Sequence, residues 1–233
     1  MARISPAQQH YLRTLAALAA ANASAGGVVT GNAYELMCAQ LITDRQRLKQ
    51  IQSIERKIET KRALLPAYQD WIDGALASGH GAQDMVLTTL LVWHIDVGDF
   101  ARALQIAEYV LQHNMKLPDQ YQRDTATMLL DEIPDAFLQP PLPQGVDAMA
   151  ILERVDQLTQ GKDAPDQARA KLYKALGYAC IAGSGEEDLT REQLPLAQEG
   201  LRHLQRALEL FNGIGVKKDI ERLERRIKKA TPD

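Results

Sequence analysis

Residues 84–98 constrain the fold more than any other stretch of the chain. Met85, Val86, Leu87, Leu90, Leu91, Val92, Trp93 and Ile95 fall on every side of a helix wound at 3.6 residues per turn. A helix that is apolar all round has no face to offer water, so it belongs in the middle of a core with other helices around it. Asp84 supplies negative charge at its N-terminus and Gly98 fits its C-terminal stop. Asp99 then fits the N-cap of a second helix reaching about His113. In that helix Phe100, Ala103, Leu104, Ala107, Val110 and Leu111 make one apolar stripe, so the two segments form an antiparallel αα-hairpin with a very short connection.

The rest of the chain agrees with a helical surround. Ala and Leu dominate, Val, Ile and Thr runs are few, and aromatics are only 5% of 233 residues. Ser5, Pro6 and Gln8 make a helix start, with Ser5 as N-cap and Pro6 at the first helical position. That helix runs to about Asn22, where Gly26 and Gly27 stop it. A second helix is expected over residues 33–64. Its Tyr34, Met37, Leu41, Leu48, Ile51, Ile58 and Leu65 fall on heptad a and d positions, with Asp44, Glu55 and Arg62 as misfits. Such a helix would be about 48 Å long and would need a partner along its seam, either the Ala-rich first helix or a second copy. Tyr34, Met37, Leu41, Leu48, Ile51 and Ile58 are therefore the expected oligomerisation residues.

Pro134, Pro140, Pro141, Pro143 and Gly145 interrupt helix, and a boundary is expected there. Helices follow at 146–158, 165–181, 195–211 and 217–229, with a polar loop at 183–188. The expected fold is all-α: a long N-terminal helical hairpin or coiled-coil element, then antiparallel helix pairs, loosely tetratricopeptide-like. The parts are residues 1–66 for assembly and DNA contact, 67–133 as a central core, 134–145 as a linker and 146–233 as a C-terminal domain.

Net charge is −3, yet its distribution is uneven. Residues 45–62 hold seven bases (Arg45, Arg47, Lys49, Arg56, Lys57, Lys61, Arg62) against two acids. Residues 217–229 hold seven bases against three acids, while residues 119–199 hold fifteen acids against seven bases. The seven bases of 45–62 suit phosphate contacts, and the same spacing suits the solvated flank of a coiled coil; spacing alone favours the flank. No helix-turn-helix with an evident recognition helix is visible.

Catalytic constellations are absent from the pattern. No G-x-x-x-x-G-K-[ST] occurs, which argues against an ATPase. Glu59 and Lys61 make an E-x-K match that lies within a helix, and Asp84, Asp96 and Asp99 are better explained as helix-end charges. His80 reads as a turn residue and His94 as a hydrogen-bonded core histidine. Cys38 and Cys180 read as small buried hydrophobes. No metal and no cofactor are expected. Neither a leader nor a membrane span is expected, so the chain should be cytoplasmic.

Ordered blocks run along most of the chain: Ser5-Pro6-Ala7-Gln8; Lys61-Arg62-Ala63-Leu64-Leu65-Pro66 with Trp71; Gly81-Ala82-Gln83-Asp84; Asp96-Val97-Gly98-Asp99; Ala103-Leu104-Gln105-Ile106-Ala107; Ala170-Lys171-Leu172; His203-Leu204-Gln205-Arg206-Ala207; and residues 215–225. In these the chain resembles the small terminase subunit of peduovirus-type temperate tailed phages, often labelled the terminase endonuclease subunit. The resemblance implies a protein of the bacterial host's cytoplasm that binds phage double-stranded DNA. It also implies assembly into a homo-oligomeric ring, and presentation of the DNA to a terminase large subunit holding the ATPase. The endonuclease label is read as describing the complex, with cleavage in the large subunit. The alternatives are a metal-dependent endonuclease in its own right and a tetratricopeptide-like scaffold that binds protein.

Overall fold

The computed structural model describes residues 6–118, 122–140, 142–185 and 188–231. Among them are eleven α-helices and no strand beyond one isolated parallel bridge between Val28 and Gln83. The chain divides into two compact units, Met1–Thr125 and Ala126–Asp233.

In the first unit the helices are α1 (Pro6–Asn22), α2 (Asn32–Lys49), α3 (Ile54–Leu64), α4 (Gln69–Ser78), α5 (Met85–Asp96) and α6 (Phe100–Gln112), with a single 3-10 turn at Leu65–Tyr68 before α4. Every residue of α5 from Val86 to Ile95 is buried, and α2, α3, α4, α6 and the 3-10 turn all pack on it. The helix apolar on all sides is thus the axis of this unit. Its ends are built as the sequence suggests: Asp84 caps α5 by accepting from Leu87 N–H at 3.0 Å, and Gly98 follows at φ 78°, where a Cβ would be strained. Ser5, the expected cap of α1, lies outside the described residues.

The single helix expected over 33–64 is two helices. It breaks at residues 50–53, where Gln50 and Ile51 donate back to Arg47 and Leu48 carbonyls and Ser53 turns extended at ψ 128°. The Ser53 hydroxyl then caps α3 by accepting from Arg56 N–H at 3.3 Å. Arg47 and Lys49 close α2 and Glu55 opens α3, each charge complementing the dipole of its own helix end. These caps outweigh the heptad register, whose misfits Asp44 and Arg62 have structural partners of their own. Asp44, for example, accepts from the hydroxyl of Tyr68 at 2.6 Å.

The second unit holds α7 (Thr125–Leu138, beginning one residue before the division), α8 (Ala148–Thr159), α9 (Asp166–Gly183), α10 (Leu194–Leu210) and α11 (Lys217–Ala230). Pro134, expected to end its helix, lies inside α7 and is buried. Having no N–H, it leaves the Leu130 carbonyl without its helical partner, and α7 still gains a last turn to Leu138. Pro141, and Glu186 and Glu187 of the polar loop, lie outside the described residues. Helices α9 and α10 cross closely where Gly177 and Gly200 face each other. Leu204, Val216 and Ile220 join α10 to α11.

Candidate nucleic-acid interface

The seven bases expected to face DNA do not share one environment. Arg47, Lys49 and Arg56 are exposed, Arg45 and Lys57 are half-buried, and all five flank the turn at residues 50–53. Among the described residues the side chains of Arg47, Lys49, Arg56 and Lys57 have no ion pair. The turn is short enough that Lys49 and Ser53 stand within about 14 Å of each other. Five cations are therefore gathered around one surface turn.

Lys61 and Arg62 point elsewhere. Lys61 forms a close ion pair with Asp96 at the end of α5, and Arg62 donates to the Val97 carbonyl at 3.1 Å. Both are thereby committed to the α5–α6 turn. Asp96, which brackets the hairpin, thus has Lys61 as its partner.

Of the six residues expected to drive assembly, Met37, Leu41 and Leu48 are buried within this single chain, and Tyr34, Ile51 and Ile58 are half-buried. Tyr34 stacks on Trp71 with ring centroids 5.8 Å apart and accepts from Met85 N–H at 3.1 Å. The outer surface of α1 and α2 carries other apolar groups, Tyr11, Leu18, Leu36 and Ile42, all exposed.

The C-terminal basic helix is more self-compensated. Arg226 donates to the Gly185 carbonyl at 2.7 Å, Lys229 pairs with Asp188 at 2.6 Å, and Arg225 reaches the Glu221 carbonyl at 3.2 Å. Lys217, Lys218, Arg222 and Lys228 remain exposed.

The acids weighed as metal ligands have structural partners. Asp84 accepts from Trp71 and Leu87; Asp99 accepts from Arg102 N–H at 3.3 Å and meets His94 Nδ1 at 2.9 Å. His94 is buried, and burial lowers its pKa below the ordinary 6.5 against the opposing pull of Asp99. His80 is exposed beside Gly79 and Gly81, as a turn residue. A cluster that the sequence did not announce joins Arg13 of α1 and Arg102 of α6 through Asp70 and Asp73 of α4. The i, i+3 spacing of the two aspartates was the only visible signal. Another sets Lys171 between Asp131 at 3.1 Å and Asp135 at 2.9 Å. Among the described residues no three His, Cys, Asp or Glu side chains stand where they could hold a metal ion. Cys180 is buried, as read, whereas Cys38 is only half-buried; both are free thiols. No described helix is long and apolar enough to cross a membrane.

A model of the phage small terminase subunit family matches residues 38–167, a span that includes the α2–α3 turn, α5 and the hairpin. The chain is 38% identical over 225 residues to the terminase, endonuclease subunit of Escherichia phage P2, covering 96% of this chain and 86% of that protein. It is 25% identical over 207 residues to the probable terminase, endonuclease subunit of Haemophilus phage HP1 (strain HP1c1), covering 84% and 71%. No solved structure matches. With a family match across more than half of its length and a relative of this similarity along nearly all of it, the chain belongs to the phage small terminase subunits.

Proposed function

We propose that this small terminase subunit grips phage double-stranded DNA by its phosphates, through Arg45, Arg47, Lys49, Arg56 and Lys57 at the α2–α3 turn. Copies of the chain assemble into a ring, so that the turn repeats once per subunit as a positive belt. The ring then presents the DNA to a terminase large subunit that holds the ATPase and the nuclease. The observation that carries the DNA reading is the contrast in partners between the two basic regions. At the turn Arg47, Lys49 and Arg56 are exposed and, with half-buried Lys57, have no ion pair among the described residues, while α11 spends Arg225, Arg226 and Lys229 on its own surroundings.

Contacts of this kind release condensed counterions, so affinity falls steeply with salt and depends little on base sequence. Neutralising Arg45, Arg47, Lys49, Arg56 and Lys57 together should weaken binding to a duplex and flatten its salt dependence. Neutralising Lys217, Lys218, Arg222, Arg225 and Arg226 should do less. A larger loss in the second variant, with oligomer mass unchanged by light scattering, would put the interface on α11. The same light scattering on the native chain tests the ring, since a monomer at all concentrations would exclude it. Incubation with supercoiled DNA and Mg²⁺ tests the division of labour: cutting by this chain alone would make it the nuclease.

A further inference from the structure

Helix α3 is weakly held by apolar packing. Of its eleven residues only Leu64, at the far end from the turn, is buried. Ile58 is half-buried, and the N-terminal half with Arg56 and Lys57 lies at the surface. Its polar attachments are concentrated in its last turn, where Lys61 pairs with Asp96 and Arg62 donates to the Val97 carbonyl. Both attachments land on the C-terminal end of α5, the most completely buried helix of the unit and therefore its firmest reference point. That end has unpaired carbonyls and partial negative charge, so a guanidinium there satisfies an acceptor and complements the dipole. The Lys61–Asp96 pair is also partly sheltered, with side chains 17% and 35% exposed.

We infer that Lys61, Arg62 and Asp96 are positioning residues: they clasp the end of α3 to the end of α5 and so hold the α2–α3 turn in the orientation that meets DNA. This rests on the phosphate-binding reading of that turn. It takes Lys61 and Arg62 out of the set of bases that touch DNA and gives them a separate task.

The clasp makes a prediction opposite in sign to that of the electrostatic field. Asp96→Asn removes a negative charge from a protein that binds a polyanion, and the field alone would then tighten binding. Loss of the clasp loosens it. The full chain would be titrated with a fluorescent duplex at several salt concentrations, using native protein, Asp96→Asn, Asp96→Glu, Lys61→Met and the Lys61→Met/Asp96→Asn double variant. Asp96→Asn should weaken binding about threefold, as befits a partly sheltered pair, with the slope of log affinity against log salt unchanged. Asp96→Glu should restore affinity, and the double variant should be no weaker than the weaker single variant. Native or tighter binding by Asp96→Asn would overturn the inference. Should circular dichroism show that Asp96→Asn does not fold, Lys61→Met decides alone. A slope reduced by about 0.9 would mean that Lys61 touches a phosphate, and the clasp reading would fall. The neutralised turn variant separates the two levels. If it binds DNA as well as native protein, the turn reading itself fails; if it loses binding while Asp96→Asn does not, only the clasp fails.

Discussion

The indole N–H of Trp71 donates to Asp84 at 2.9 Å in the buried interior of the first unit. The other carboxylate oxygen of Asp84 accepts from Leu87 N–H, so one side chain both caps α5 and ties it to α4. Burial pushes the Asp84 carboxyl above its ordinary value, and the hydrogen bonds from Leu87, Trp71 and Val86 pull it back. The loop between α4 and α5 closes on this bond, and Gln83 beside it pins two more segments: its backbone bridges Gly27 and Val29, and its side chain both accepts from and donates to Lys116 backbone.

Trp71→Phe keeps most of the ring but removes the one side-chain donor that Asp84 has among the described residues. A buried acceptor left short of a partner costs about 1–3 kcal/mol. Urea unfolding should show that loss at unchanged slope, and Asp84→Ala should lose more because the cap goes with it. Equal stability of Trp71→Phe and native protein would show that the bond contributes nothing.

Buried His94 and half-buried His203 set an acid limit. Burial lowers the pKa of His94, facing Asp99 and Arg102, and that of His203, facing Glu199, Asp156, Arg202 and Glu153. A histidine whose folded pKa is depressed is protonated more readily when unfolded, so stability is full above the unfolded value of 6.5 and falls as pH drops through the lowered folded values. Asp84 acts in the opposite direction, its raised pKa withdrawing stability as pH rises from 3.8. Calorimetry between about pH 7.5 and 5.5 should therefore show the Tm of native protein losing ground on acidification relative to that of His94→Gln, the Asp84 contribution being common to both. A Tm difference between the two that is independent of pH would contradict this.

Gly74 sets how closely α1 and α4 approach. A Cβ there would sit 2.5 Å from the Arg13 carbonyl oxygen, 2.7 Å from Ala16 Cβ and 2.9 Å from Ala17 N. Two of these are backbone atoms and cannot swing away, so Gly74→Ala should destabilise by about 1–3 kcal/mol despite alanine's better helix propensity. It should also strain the Arg13 pairs with Asp70 and Asp73. Thermal denaturation of the single variant checks this, and an unchanged or raised Tm refutes it.

Leu41 distinguishes an internal seam from an intermolecular one. Its side chain is fully buried within one chain, so Leu41→Ala should cost about 2–5 kcal/mol in chemical unfolding and leave the mass in solution unchanged. A shift to smaller mass at nearly native stability would return the heptad seam to the subunit interface.

What the sequence determined is what lies within a few residues along the chain. The all-round apolar pattern of α5 can be satisfied only at the centre of a helical bundle. Asp84, Gly98 and Asp99 end and start helices through bonds to backbone groups two to five positions away. The ordered motif blocks likewise sufficed to indicate the family. Ser53 followed by Glu55, after Arg47 and Lys49, was a local signal for the break in the second helix, masked by a heptad pattern that spans it. Tertiary structure alone decided the rest. Lys61 and Arg62 read like their basic neighbours, yet their partners lie 35 positions along the chain. The heptad leucines needed a partner, and whether the chain itself would cover them was fixed only once α5 was in place. Periodicity and capping act over one or two helical turns, whereas the choice among distant partners depends on how whole helices pack, which no short pattern encodes.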